Sequence, residues 1–199
     1  MPVSRVSNLN IANQLTVLRL VLVPLFLGAL LYDEGQQSAW RIGAFVVFAL
    51  ASYTDWVDGK LARSRNLITS FGKLADPIAD KALTGAALIG LSGLDLLPWW
   101  VTVVVVVREV GVTALRFWVI RHGVIPASRG GKVKTLLQGL AIGLYVLPLS
   151  GLLASGRAAV MTAAVAVTVV TGVDYVARAL TLRQTSDRAA MKRARRAAR

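Results

Sequence analysis

The chain has 199 residues, of which 55% are apolar, with a mean hydropathy of +0.61, a formal charge of +13 and no cysteine. That apolar fraction exceeds what a soluble domain carries, and six buried helices in this length would leave too little polar surface for a soluble bundle, so the bilayer is the solvent to expect. The missing cysteines exclude a disulfide framework and a thiolate metal site, and basic residues placed beside apolar runs point to anionic lipid headgroups rather than nucleic acid.

A hydrocarbon core of roughly 30 Å needs about 20 apolar residues per helix. Six runs approach that length, over residues 15–32, 40–56, 78–97, 99–120, 136–153 and 158–182. The first has no small-residue cleavage site after a short apolar core, so it reads as a retained helix. A polar, Gly-containing segment over 33–38 turns the chain into the second run, and Pro98 separates the third from the fourth. Residues 183–199 carry seven basic side chains against Asp187; they read either as a helix lying on an anionic membrane face or as a solvated, disordered end.

Cytoplasmic flanks are enriched in Lys and Arg, whereas short translocated loops are not. The first, third and fifth connections hold only Arg41 and Arg157 as bases, with the acids Asp33, Glu34 and Asp95. The other side holds Arg5, Arg19, Lys60, Arg63, Arg65, Lys73, Arg121, Arg129, Lys132, Lys134 and the tail. The expectation is an all-α integral membrane protein with six transmembrane helices and both termini cytoplasmic. It divides into a transmembrane domain over 1–182 and a basic cytoplasmic tail over 183–199.

Ionisable groups at membrane depth are expensive, so each is a functional candidate. Asp55 and Asp58 stand three residues apart at the cytoplasmic end of the second run, and Asp76 and Asp80 four apart at the start of the third. Each pair shares one helical face, and antiparallel helices bring the two faces together. Four close carboxylates repel unless protonated, salt-bridged or metal-loaded, and oxygen ligands without His or Cys favour Mg²⁺ or Mn²⁺. The single histidine, His122, reads as an interfacial or loop residue rather than a ligand. Gly59, Ala62 and Gly72 leave room for a bulky phosphate or nucleotide, although each alone fits helix packing equally well, and Arg63 can take a phosphate bidentately.

The string Asp55-Trp-Val-Asp58-Gly59-Lys-Leu-Ala62-Arg63, eight residues, Gly72, three residues, Asp76, three residues, Asp80 reads D-x-x-D-G-x-x-A-R-x8-G-x-x-x-D-x-x-x-D without a gap. It resembles the signature of the CDP-alcohol phosphatidyltransferases, whose six-span architecture also covers nearly the whole chain. The resemblance implies that Asp55, Asp58 and Asp76, joined by Asp80, hold two divalent ions. Asp80 would also be the general base on the acceptor hydroxyl, and Asp55, Gly59, Ala62, Arg63 and Gly72 would line the CDP group. It further implies a homodimer in a bacterial plasma membrane, with the active site at the cytoplasmic face.

Three further segments bear on the acceptor. Arg108, Glu109 and Arg116 lie inside the fourth run, where Glu109, Thr113 and Arg116 share a face; a buried ion pair holding the bundle is the structural alternative. Gly130-Gly131-Lys132-Val-Lys134-Thr135 opens the fifth run and offers cations, a hydroxyl and helix-start amides to an anion. These segments look like those of the bacterial phosphatidylglycerophosphate synthases within the family. So does Asn13-Gln-Leu-Thr16-Val-Leu-Arg19, in which Asn13 and Thr16 would contact the nucleotide; Ala12 departs from that group's usual proline. The resemblance implies CDP-diacylglycerol as donor and glycerol 3-phosphate as acceptor, its phosphate held by Arg108, Arg116, Lys132, Lys134 and Thr135. Sibling enzymes that use inositol phosphate or phosphatidylglycerol, and a divalent-cation transporter, are the alternatives.

Overall fold

A computed structural model describes residues 11–64, 70–119 and 129–197. Six helices correspond in order to the six runs: α1 (Ile11–Leu31), α2 (Ser38–Ser64), α3 (Ser70–Gly93), α4 (Trp99–Val119), α5 (Arg129–Val146) and α6 (Gly151–Ala197), with a 3₁₀ turn at Tyr32–Gly35. No strand occurs among the described residues. α1 packs on α2 and α3, and α6 on α4 and α5.

Three boundaries differ from the sequence expectation. α3 stops at Gly93 rather than at 97, because the amides of Leu96 and Leu97 turn back to the Leu91 carbonyl at 3.0 and 3.2 Å and Asp95 takes a left-handed φ of 53°. α5 ends at Val146 rather than at 153, since Pro148 lacks an amide proton and disfavours helix in the residue before it. α6 accordingly begins at Gly151 and runs unbroken to Ala197; Ala, Arg, Lys and Met are strong helix formers, and of the two readings of the tail its backbone takes the helical one. α2 and α3 also extend beyond their apolar stretches, so the aspartate motif lies on helix at both ends.

The buried interior is built from Phe26, Leu30, Phe48, Leu88, Leu91, Val101, Ile142 and Val165, interleaved with Ala44, Ala51, Ala87, Ala141 and Ala164. Small residues let the backbones approach. A Cβ on Gly90 would sit 3.0 Å from Leu30 Cδ2, and one on Gly143 would sit 3.1 Å from Phe45 Cε2. The outer faces are also apolar: Leu136 is 74% and Phe117 68% exposed, a surface that lipid rather than water would cover. By length and hydropathy, the helices over Gln14–Gly35 and Gly151–Gln184 are long and apolar enough to cross a membrane. α4 carries Arg108, Glu109 and Arg116 within its 21 residues, which lowers its hydropathy for the sake of the interior those groups face. Tyr32 and Trp40, with ring centroids 4.5 Å apart, lie at the same end as Trp99 and Trp100, while Tyr53, Trp56 and Trp118 lie at the other, in the manner of interfacial aromatic belts.

Candidate active site

The start of α1, the end of α2, the start of α3, the end of α4 and the start of α5 meet at one end of the bundle. On α1, Thr16 and Arg19 stand one turn apart and are both buried. The Arg19 guanidinium reaches Asp55 on α2, with Nη1 2.6 Å from Oδ1. Asp55 and Asp80, from α2 and α3, open on the same two cavities. Asp55 and Asp80 therefore face a shared space across the two helices; the side chains of Asp58 and Asp76 lie outside the described residues.

Beside them, Glu109 on α4 gathers three cations. Its Oε2 accepts from Lys81 Nζ at 2.8 Å, and its Oε1 accepts from Arg108 Nη1 at 2.9 Å and Lys134 Nζ at 2.5 Å. Arg108 also donates through Nη2 to the Thr171 hydroxyl on α6 at 3.1 Å, and that hydroxyl donates in turn to the Val167 carbonyl. Three cations on one carboxylate leave a surplus of positive charge, which a phosphate would balance.

An inner cavity of about 200 Å³ runs from Asp55 and Asp80, past Lys81, Glu109 and Lys134, to an apolar floor at Leu88 and Val105. A second, more open space of about 400 Å³ shares those carboxylates with Arg108, Thr113 and Arg116. A nucleotide-sized ligand outside and a small anionic ligand inside would thus face the same two aspartates.

A model described as CDP-alcohol phosphatidyltransferase matches residues 9–170. The chain belongs to the CDP-alcohol phosphatidyltransferase family. It is 61% identical over 171 residues to a probable phosphatidylglycerophosphate synthase of Mycobacterium tuberculosis, covering 86% of this chain and 82% of the relative. It is 42% identical over 149 residues to the CDP-diacylglycerol–glycerol-3-phosphate 3-phosphatidyltransferase of Bacillus subtilis, covering 69% and 77%. A CMP-forming cardiolipin synthase of Streptomyces coelicolor is 42% identical over 121 residues, covering 59% and 55%.

In this CDP-alcohol phosphatidyltransferase the expected site residues divide by place. Asp55, Asp80, Lys134 and Thr135 line the inner cavity, and Arg108 and Arg116 the outer one. The Thr135 hydroxyl is already donated to the Gly131 carbonyl at 3.1 Å. The Arg116 guanidinium lies 5.9 Å from the Tyr175 ring centroid, at the mouth. Lys132 is exposed and lines neither cavity, because two residues of helix turn it away from the face of Lys134. Thr16 is buried behind Arg19 and also lines neither. The side chains of Asn13, Asp58, Gly59, Ala62, Arg63, Gly72 and Asp76, together with His122, lie outside the described residues.

Lys81 and Gln138 are not among the residues the sequence singles out, Arg19 is given no partner there, and the buried ion pair offered for Glu109 forms with Lys81, Arg108 and Lys134. Signals existed for each. Lys81 directly follows Asp80, and Gln138 lies one turn past Lys134 on the same face.

The family uses divalent metals. The donor chemistry here fits one: Asp55 and Asp80 present carboxylate oxygens to a shared space, with no soft ligand beside them. Arg19 holds Asp55 at this space, with Nη1 2.6 Å from Oδ1.

Proposed function

We propose that this chain transfers the phosphatidyl group of CDP-diacylglycerol to sn-glycerol 3-phosphate, giving phosphatidylglycerol phosphate and CMP. The observation that carries this reading is the cluster of Lys81, Arg108 and Lys134 on Glu109, which shares its cavities with Asp55 and Asp80. A cationic pocket beside the reacting carboxylates calls for an acceptor that is itself an anion. The relatives named for glycerol 3-phosphate support the same choice.

Asp55, Asp58, Asp76 and Asp80 would hold the metal, read here as two Mg²⁺ or Mn²⁺ ions. When bound, these ions neutralise charge on the donor's diphosphate and on the leaving phosphate. The rest is the work of the chain. Asn13, Gly59, Ala62, Arg63 and Gly72 seat the CDP group. Lys81, Arg108 and Lys134 hold the acceptor phosphate, with Arg116 and Thr135 toward the approach, and Glu109 keeps the cations from repelling one another apart. The Asp80 carboxylate takes the proton from the acceptor hydroxyl. The oxygen forms its bond to the phosphorus that carries diacylglycerol, the bond from that phosphorus to CMP breaks, and CMP departs with the electron pair.

All six helices cross the bilayer in this reading, with both termini and the site at the cytoplasmic face of a bacterial plasma membrane. The apolar outer faces and the two aromatic ends support that placement. Residues 1–182 form the catalytic domain and 183–199 a basic extension of α6 along the anionic surface, and two copies form a homodimer.

The test is CMP release from CDP-diacylglycerol by purified protein with Mg²⁺ or Mn²⁺, with glycerol 3-phosphate, inositol phosphate and phosphatidylglycerol supplied separately. Release with glycerol 3-phosphate, abolished in Asp80→Asn, is expected. Release only with another acceptor would overturn the assignment of the cationic cluster. No release with any, together with transport of labelled metal into vesicles, would replace the enzyme with a cation transporter.

A further inference from the structure

Gln138 lies on α5 one turn beyond Lys134, about 6 Å deeper into the bundle. It is 5% exposed, and its Oε1 has no hydrogen-bond partner among the described residues. The side chain lines the inner cavity between the charged end, at Asp80 and Lys134, and the apolar floor at Leu88 and Val105. Leaving a buried carbonyl oxygen unpaired is destabilising, and a leucine or methionine of similar volume would avoid that penalty. The carboxamide is therefore placed for a guest with a hydroxyl rather than for packing.

We propose that Gln138 recognises the second hydroxyl of the acceptor, the one that does not react, and so selects a polyol phosphate over a simple alkanol phosphate. The inference rests on the reaction proposed above. With the acceptor phosphate on Lys134 and its neighbours and the reacting hydroxyl at Asp80, a three-carbon acceptor has one hydroxyl left in a cavity whose uncharged wall is mostly apolar, with Ser52, Thr84 and Thr135 as its hydroxyl-bearing residues. Gln138 supplies the missing partner: Oε1 accepts from that hydroxyl, and the amide nitrogen can donate to its oxygen. A site built around such a bond disfavours an analogue lacking the hydroxyl, because the amide is then left unpaired.

The experiment compares glycerol 3-phosphate with the monophosphate of propane-1,3-diol, which keeps the reacting hydroxyl and lacks the other. Wild-type protein, Gln138→Leu and Gln138→Met are assayed for kcat/KM with each acceptor, for the CDP-diacylglycerol KM, and for thermal stability without acceptor. Wild type is expected to prefer glycerol 3-phosphate by about 10- to 100-fold, a difference of one well-made buried hydrogen bond. In the variants the preference should shrink to within about threefold, through loss on glycerol 3-phosphate alone, with an unchanged donor KM and an unchanged or higher Tm. Equal loss on both acceptors with a lowered Tm would make Gln138 a structural residue and overturn the proposal. A preference that survives both substitutions would assign the hydroxyl to another group and overturn it equally. Absence of CMP release from wild type with either acceptor would remove the reaction and this role together, whereas the two preceding outcomes leave the reaction standing.

Discussion

The buried guanidinium of Arg19 and the half-exposed carboxylate of Asp55 form an unequal pair, 2.6 Å apart, with side-chain exposures of 0% and 45%. Arg19 is fully buried, so its charge relies on its neighbours, whereas Asp55 lines the cavity. The pair holds Asp55 beside the reacting groups. Arg19→Ala should lower kcat/KM for CMP release by at least about tenfold, and Arg19→Lys should restore part of it, since an ammonium keeps the charge but not the planar fork. Activity within twofold of wild type in folded Arg19→Ala would remove Arg19 from the site.

Arg108 depends on a gap in α6. A Cβ on Gly172 would stand 3.1 Å from Arg108 Cγ and 3.5 Å from its Nε. The methyl of Gly172→Ala would push the guanidinium off Thr171 and Glu109, to which it donates at 3.1 and 2.9 Å. The expected result is an acceptor KM raised by about three- to tenfold with little change in the donor KM, the signature of a lost binding contact. Gly156 is the control on the same helix, where a Cβ meets nothing within 4 Å. Gly156→Ala should leave both constants alone and gain up to about 1 kcal/mol from helix propensity. Equal acceptor constants in the two variants would contradict the positioning of Arg108.

At the far end of the bundle, Arg41 closes the C-terminus of α5. It donates to the carbonyls of Tyr145, Val146 and Leu147 at 2.7, 3.0 and 3.1 Å, at a helix end where intrahelical amide donors run out; the Leu147 carbonyl also accepts from the Leu149 amide at 2.8 Å. A cation there also complements the helix dipole. Arg41→Ala should cost about 1.5–3 kcal/mol, read as a lower Tm in detergent, while KM for both substrates stays unchanged because Arg41 lines neither cavity. An unchanged Tm would mean that water replaces the three bonds without loss.

Much of this was legible from residue order. The six helices follow from the lengths of the apolar runs, and the position of the acids at one end follows from their spacing within helices. Boundaries were less legible where a single residue overrode hydropathy: Pro148 divides an apolar stretch that reads as one run, and the turn at Asp95 ends α3 while leucines continue. The tail was ambiguous because basic, Ala-rich sequence is compatible with both helix and solvated coil.

The sequence by itself determined the class of chemistry, because a metal-binding carboxylate motif works through spacing along two helices, and spacing is written in the chain. It also determined that Arg108 and Glu109 needed partners, since charge inside an apolar run is costly wherever the helix packs. Only the tertiary structure decided what those partners are. Lys81, Glu109 and Lys134 come from three helices and meet at 2.5 to 2.8 Å. Gln138 is left facing a cavity rather than a neighbour for the same reason. Which side chains share a face is set by the helical repeat, but which faces meet is set by how six helices pack, and that depends on contacts distant in sequence.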